Sequence, residues 1–216
     1  EACEFLDFPV VSGNVSFYNE TNTKSIFPTP VIGGIGVLNN LKKIMNIKTK
    51  RPGNLIMVIG KTFGHLNQSA FLQENFSICD GPPPEINLIN EKNNGLAILK
   101  LIKENFILSV HDISSGGILL SLTEMSMASK LGVKIYKPKK LINPLEYFFG
   151  EDQGRYIIEI DKKNDDKIAS ILNKNSVFFE KIGNTQKEHL SLDGEFNISI
   201  KELTMLNNNW FERYIN

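Results

Sequence analysis

A short apolar run, a polar turn and a long apolar helix pattern constrain this chain more than any other stretch. Residues 106–110 are predicted to form a short buried strand, and residues 118–131 are predicted to form a mostly buried helix. The turn between them, His111-Asp-Ile-Ser-Ser-Gly-Gly117, supplies one imidazole, one carboxylate, two hydroxyls and two glycines. A strand that leads through such a turn into a buried helix indicates a layered domain with helices packed on a sheet.

The turn offers the groups that cap a helix and bind an anion. Asp112, Ser114 or Ser115 could each accept a hydrogen bond from a free N–H group of the helix. Gly116 and Gly117 leave room for other groups to approach the backbone. A helix N-terminus favours phosphate, and Asp112 beside it could hold a divalent cation. An ordinary capped turn that binds no ligand explains the same residues equally well.

Composition excludes several classes of partner. The 216 residues carry a formal net charge of +0, so no basic surface indicates nucleic-acid binding. No apolar run has the length of a membrane span, and the N-terminus lacks a secretory signal pattern. Cys3 and Cys79 are predicted to be free thiols in a reducing, cytoplasmic compartment. Because residues 2–6 read as the end of a helix, we expect a piece of a longer chain that lacks an N-terminal part.

Two β-rich segments precede the central stretch. Residues 10–19 and 29–38 are predicted to be strands, because both are rich in β-branched residues. Gly13 indicates a bulge or a close backbone approach in the first of them. Asn14 and Ser16 would share one face of that strand, where they suit a metal–phosphate or another polar ligand. A polar face turned to solvent is the equal alternative.

A lysine-rich segment that ends in Arg51-Pro-Gly53 is the candidate domain boundary. It divides the chain into residues 1–50 and 51–216. The second part alternates strands with helices, which predicts an α/β or α+β domain. Its further predicted strands are residues 55–59, 133–136, 156–160, 176–182 and 196–200. Its further predicted helices are residues 95–104, residues 201–214 and a helix that Asn164 caps, with Asp165 and Asp166 in its first turn. Residues 141–149 are predicted to form a helix or a turn.

Three stretches in one order carry a family resemblance. The first is Val10-Val-Ser-Gly-Asn-Val-Ser-Phe-Tyr-Asn-Glu20 with Phe27-Pro-Thr-Pro-Val-Ile-Gly33. The second is the His111–Gly117 turn, and the third is Phe148-Phe-Gly-Glu-Asp-Gln-Gly-Arg155. Together they resemble the synthetase subunits of the phosphoribosylformylglycinamidine synthase family, in the aminoimidazole ribonucleotide synthetase-like superfamily. The resemblance covers nearly the whole chain, as the C-terminal portion of such a subunit.

The resemblance implies a fold, a reaction and a set of partners. Residues 1–50 would end an N-type domain, and residues 51–216 would form a C-type domain with helices on a mixed β-sheet. With Mg²⁺, ATP would phosphorylate the amide oxygen of formylglycinamide ribonucleotide in purine biosynthesis. Ammonia from a glutaminase subunit would then displace the phosphate. A small accessory subunit and the missing N-terminal half of the same chain would be the other partners.

The family pattern also implies roles for individual residues. Gly13 and Ser114 would contact ATP, Asn14 and Asp112 would bind Mg²⁺, and Ser16 would contact the substrate. No residue of this chain is expected to be catalytic, because the family's catalytic histidines belong to the missing half. The fragment alone is therefore expected to be inactive. The alternatives are another ATP-using member of the superfamily and a scaffold half that binds nucleotide without catalysis.

Other positions are expected to be structural. Glu151, Gln153 and Arg155 resemble a segment that contacts substrate in the other half of the subunit. Here Glu151 and Arg155 could pair with each other or contact a ligand. His111 is predicted to bond to the backbone at the end of its strand.

Overall fold

The structure is a computed structural model that describes residues 1–26, 29–138 and 143–215. It divides the chain into two compact units, Glu1–Ile44 and Met45–Asn216. The domain boundary predicted between residues 50 and 51 stays a prediction. In the described part of the chain, no helix is long and apolar enough to cross a membrane.

The smaller unit contains little regular structure. Helix α1 (Ala2–Phe5) opens it, strands β1 (Glu20–Thr21) and β2 (Lys24–Ser25) pair antiparallel, and a 3-10 helix spans Leu41–Lys43. The prediction of strands at residues 10–19 and 29–38 was wrong, since the described residues of both segments form neither strand nor helix. β-Propensity reflects packing on a neighbouring strand, and here even Phe17 is 97% exposed.

The larger unit is built on a seven-stranded mixed sheet. Its strand order is β4-β6-β3-β7-β5-β8-β9, and every neighbouring pair is antiparallel except the parallel pair β5–β8. The mixed sheet predicted for this part of the chain is confirmed. The strands are β3 (Leu55–Ile59), β4 (Ile107–Ile113), β5 (Gly132–Ile135), β6 (Arg155–Ile160), β7 (Phe179–Gln186), β8 (His189–Leu192) and β9 (Phe196–Ser199).

Helices cover both faces of the sheet. The central strand β3 shows why, because Ile56 and Val58 join one apolar cluster while Met57 and Ile59 join another. The first cluster contains residues of α4, α5 and α7, and the second contains residues of α3 and α6. The helices are α2 (Ala70–Phe76), α3 (Leu88–Lys103), α4 (Gly117–Ser129), α5 (Pro144–Phe149), α6 (Asp165–Lys174) and α7 (Ile200–Ile215), with a 3-10 helix at Lys162–Asn164.

Most predicted elements of this unit are present. The strand predicted at 176–182 lies instead at Phe179–Gln186, and α2 and β8 were not predicted. The strand predicted at 106–110 extends to Ile113, so His111 and Asp112 lie in β4 and not in the turn. Of the helix predicted at 141–149, residues 141 and 142 lie outside the described residues.

Candidate functional site

Three loops meet at one end of the sheet. Ile59 at the end of β3 pairs with Tyr156 near the start of β6, and Ile113 at the end of β4 pairs with Arg155. Antiparallel pairing therefore brings together the loop after β3, the turn before α4 and the loop before β6. Two of these segments carry the motifs that the sequence analysis singled out.

The turn before α4 begins its helix without a side-chain cap. The cap residue is Gly116, with a φ of 77°, so the predicted cap by Asp112, Ser114 or Ser115 was wrong. The Ser114 carbonyl accepts a hydrogen bond from the Gly117 N–H at 3.1 Å. The hydroxyl-bearing residues Ser114 and Ser115 are exposed. A positive φ at the cap position explains why this motif needs glycine there.

Glu151 supplies the missing acceptor from the neighbouring loop. Its Oε1 accepts hydrogen bonds from the N–H of Gly116, at 2.7 Å, and from the N–H of Ala70 at the start of α2, at 2.8 Å. Its own N–H donates to the His65 carbonyl at 2.8 Å. One carboxylate therefore occupies the positive end of two helices, where the sequence analysis expected a phosphate.

Asp152 fills a second ring of backbone donors. Its carboxylate accepts from the N–H groups of Phe63, Gly64 and His65 at 2.9, 3.0 and 3.2 Å. Successive N–H groups that converge in this way form a concavity that binds anions. The protein's own buried carboxylate occupies this concavity and fixes the loop after β3.

The buried side chain of Arg155 links these loops by hydrogen bonds. Its guanidinium donates to the Asp152 carbonyl at 3.0 Å, to Thr62 Oγ1 at 3.1 Å and to the Gly150 carbonyl at 2.6 Å. Burial lowers the pKa of Arg155, while the nearby Asp152 carboxylate opposes that shift. The proposed Glu151–Arg155 pair was wrong, because the ion pair of Arg155 is with Asp152, with 3.7 Å between Nη1 and Oδ2. Both side chains bond to the protein's own loops, and the structural role expected for them stays a prediction.

Asp112 and His111 lie beside this framework, at the edge of the sheet. Asp112 is exposed, and its Oδ1 lies 3.3 Å from His111 Nδ1. The other ring nitrogen, Nε2, lies 2.9 Å from Oε2 of Glu124 on α4. The predicted bond from His111 to the backbone was therefore wrong, because its ring bridges two carboxylates.

The three remaining predicted residues belong to the smaller unit. Asn14 and Ser16 line a surface depression of about 930 Å³ in that unit, together with the residues around them. Among the residues that the structure describes, none has an atom within 4 Å of a Cβ added at Gly13, apart from its chain neighbours, so they make no close backbone approach there. These three residues stay predictions, and they lie in a different unit from Asp112 and Ser114.

A polar cavity of about 670 Å³ opens next to the loop after β3. Lys61, His65, Asn90 and Gln153 are among the residues that line it. Glu91 also lines it, and burial raises the pKa of that carboxyl. Gln153 is exposed on this cavity, so it differs from the inward-bonded Glu151.

Removing the Glu151 carboxylate is expected to loosen both helix starts. We expect Glu151→Ala to lower the free energy of unfolding by about 1–3 kcal/mol, because two N–H groups lose their acceptor. Urea unfolding followed by circular dichroism measures the change. Glu74→Ala on α2 is the control, because Glu74 is exposed. Equal unfolding midpoints in the two variants would contradict the capping role.

Sequence reasoning missed the carboxylate of Asp152 and the link between His111 and Glu124. Both depend on contacts between residues that are distant in the chain, such as the 87-residue separation between His65 and Asp152. The sequence signal available for Asp152 was the Glu151-Asp152 pair in a loop, because carboxylates accept strong hydrogen bonds from backbone N–H groups.

Comparisons with known proteins agree with this architecture. The family model of the AIR synthase related protein, C-terminal domain, matches residues 51–194. The phosphoribosylformylglycinamidine synthase subunit PurL of Pelagibacter ubique is 48% identical over 215 residues, with 100% of this chain and 30% of that protein covered. PurL of Azorhizobium caulinodans is 38% identical over 217 residues, with 99% and 29% covered. The chain thus spans about 30% of the length of these curated relatives.

Solved structures share the fold at lower identity. PurL of Thermotoga maritima in complex with FGAR has a TM-score of 0.62 and 18% identity, covering 76% of this chain and 30% of that one. The ATP complex of the same protein has a TM-score of 0.59 and 17% identity, with 76% and 28% covered. The PurLQS structure from Thermotoga maritima gives 0.60 and 19%, with 76% and 28% covered. The chain therefore belongs to the AIR synthase related protein family, and residues 51–194 match its C-terminal domain.

Proposed function

We propose that this chain is part of an ATP-dependent ligase of purine biosynthesis. The ligase converts formylglycinamide ribonucleotide and glutamine-derived ammonia to formylglycinamidine ribonucleotide in the cytoplasm. Its partners are a glutaminase subunit and a small accessory subunit. The observation that carries the proposal is the 48% identity to a PurL subunit over the full length of this chain.

The predicted residues divide between the two units in this proposal. Gly13 and Ser114 contact ATP, and Ser16 contacts the substrate. Two observations support the ATP contact proposed for Ser114. The residue is exposed, and it lies in a turn that the hydrogen bond between Gly116 and Glu151 holds in place. The chemistry itself belongs to residues of the longer protein that this chain does not contain.

Asn14 and Asp112 are the proposed Mg²⁺ ligands. Their amide and carboxylate oxygens are hard donors of the kind that Mg²⁺ prefers. No group of three His, Cys, Asp or Glu residues that could hold a metal occurs among the described residues. Mg²⁺ commonly takes one or two protein oxygens and completes its shell with phosphate oxygens and water.

A turnover assay tests the proposal. We expect the full-length protein, as its gene encodes it, to form formylglycinamidine ribonucleotide from formylglycinamide ribonucleotide, ATP, Mg²⁺ and an ammonium salt. Product mass and ADP release are the measurements. We expect residues 1–216 alone to release no product, because they carry only part of each proposed site.

The controls separate the competing functions. Full-length protein that releases phosphate only with a different acceptor would replace the ligase by another ATP-using member of the superfamily. Product formation by residues 1–216 alone would overturn the proposed division of the site.

The framework of Glu151 and Asp152 favours one further alternative, a scaffold half, because these carboxylates already occupy backbone donors that a phosphate would use. That alternative would be supported if Asn14→Ala made the full-length protein lose structure while its turnover stayed unchanged.

A further inference from the structure

We propose that His111 is a positioning residue that orients the Asp112 carboxylate toward a metal–nucleotide ligand by bridging it to Glu124. The inference rests on the proposed function, in which Asp112 is a Mg²⁺ ligand. It adds His111 and Glu124 to the residues on which metal binding depends, although neither touches the metal.

The geometry of β4 places His111 between the two carboxylates. Its ring is 13% exposed, with Nε2 2.9 Å from Glu124 Oε2 and Nδ1 3.3 Å from Asp112 Oδ1. Ile113, two residues further along β4, packs in the apolar cluster that contains α4 residues. Because alternate residues of a strand share a face, His111 also faces α4, where Glu124 lies.

Asp112 needs such support because most of its side chain is surrounded by solvent. Its side chain is 71% exposed, and His111 is its ion-pair partner among the described residues. A carboxylate that must be ordered when the metal binds costs side-chain entropy, and this cost falls if the carboxylate is already held. The two ring nitrogens of His111 lie within 3.3 Å of the two carboxylates, so the ring limits the positions that the Asp112 side chain can take.

Glu124 supplies a rigid anchor for the bridge. It lies on α4 between Leu122 and Met125, which are both fully buried. These buried residues hold α4 in place. The contact of 2.9 Å between Glu124 Oε2 and His111 Nε2 in turn restricts the position of the imidazole ring. A side chain that bonds directly to a metal ligand, as His111 would to Asp112, typically changes metal affinity by about 10–100-fold when it is removed, and Glu124, one bond further away, should have a smaller effect.

The test measures Mn²⁺ binding to the full-length protein in the presence of ADP. Electron paramagnetic resonance of free Mn²⁺ gives the dissociation constant without any turnover. We expect Asp112→Asn and His111→Leu each to raise this constant on the order of 10-fold, and Glu124→Ala to raise it about threefold, because the ring then keeps only one partner. The Mg²⁺ concentration that half-saturates turnover should rise in the same order, with a smaller change in kcat at saturating Mg²⁺.

His189→Gln is the control, because His189 lies on β8, away from the strand that carries Asp112. Glu124 is exposed, so Glu124→Ala keeps the test decisive even if His111→Leu fails to fold. Weaker Mn²⁺ binding in Asp112→Asn, with His111→Leu and Glu124→Ala within twofold of the parent, would overturn the positioning role alone. Parent-like binding in all variants would overturn the metal role of Asp112 and this inference with it, whereas failure of the ligase itself appears separately as absent turnover by the parent protein.

Discussion

Arg155→Met is expected to lower the free energy of unfolding by about 3–5 kcal/mol, one of the two largest losses we expect from a single substitution in this chain. Arg155 is 1% exposed, and it satisfies the carbonyls of Gly150 and Asp152 and the hydroxyl of Thr62. Methionine fills much of the same space but donates no hydrogen bond. The buried Asp152 carboxylate then also loses the positive charge 3.7 Å away.

A surface arginine provides the matched control for this prediction. Arg51 pairs with Asp161, but its side chain is 60% exposed. Because exposed ion pairs contribute about 0–1 kcal/mol, Arg51→Met is expected to change stability only slightly. Urea unfolding of both variants gives the comparison. If Arg155→Met lowered the free energy of unfolding by less than about 1 kcal/mol, the loops before β6 and after β3 would keep their structure without this guanidinium.

The sequence predicted the elements whose signals are local. The apolar run at Leu55–Ile59 is β3 with the predicted bounds, and helices α4 and α7 lie within two residues of their predicted ends. In each case the pattern of apolar residues is enough, because burial on one or both faces decides the element. The strand at Phe179–Gln186 was displaced, since its pairing with Leu55–Ile59 sets its bounds and no local pattern reports that register.

The candidate site was predictable only in part, for the same physical reason. The turn before α4 was expected to cap its helix with its own side chains, but the acceptor at Gly116 comes from Glu151, 35 residues away. His111 was expected to bond to the backbone, yet its partner Glu124 lies about two turns along the next helix. Long-range carboxylates therefore replaced the local partners that a sequence pattern indicates.

The segment at the start of the larger unit depends on another buried carboxylate, Glu159. It is 0% exposed and lies on β6 between β3 and β4. Its oxygens accept hydrogen bonds from the Lys50 N–H, at 2.9 and 3.0 Å, from Asn54 Nδ2 at 2.7 Å and from Ser109 Oγ at 3.2 Å. Glu159 therefore connects the chain around residues 50–54 to the middle of the sheet.

Glu159→Leu is expected to lower the free energy of unfolding by about 3–5 kcal/mol, because three donors lose their acceptor and the two side-chain donors, Asn54 and Ser109, are buried. Glu159→Gln should cost about 2 kcal/mol, since its amide keeps one oxygen but turns an N–H₂ group toward a donor. Glu188→Gln, an exposed position, is the control. Hydrogen exchange separates a local role from a global one: we expect amides of residues 50–54 to exchange faster in Glu159→Gln while those of β3 keep the protection set by overall stability. Unchanged exchange at Lys50 would mean that the backbone there is fixed by other contacts, and the role assigned to Glu159 would be wrong.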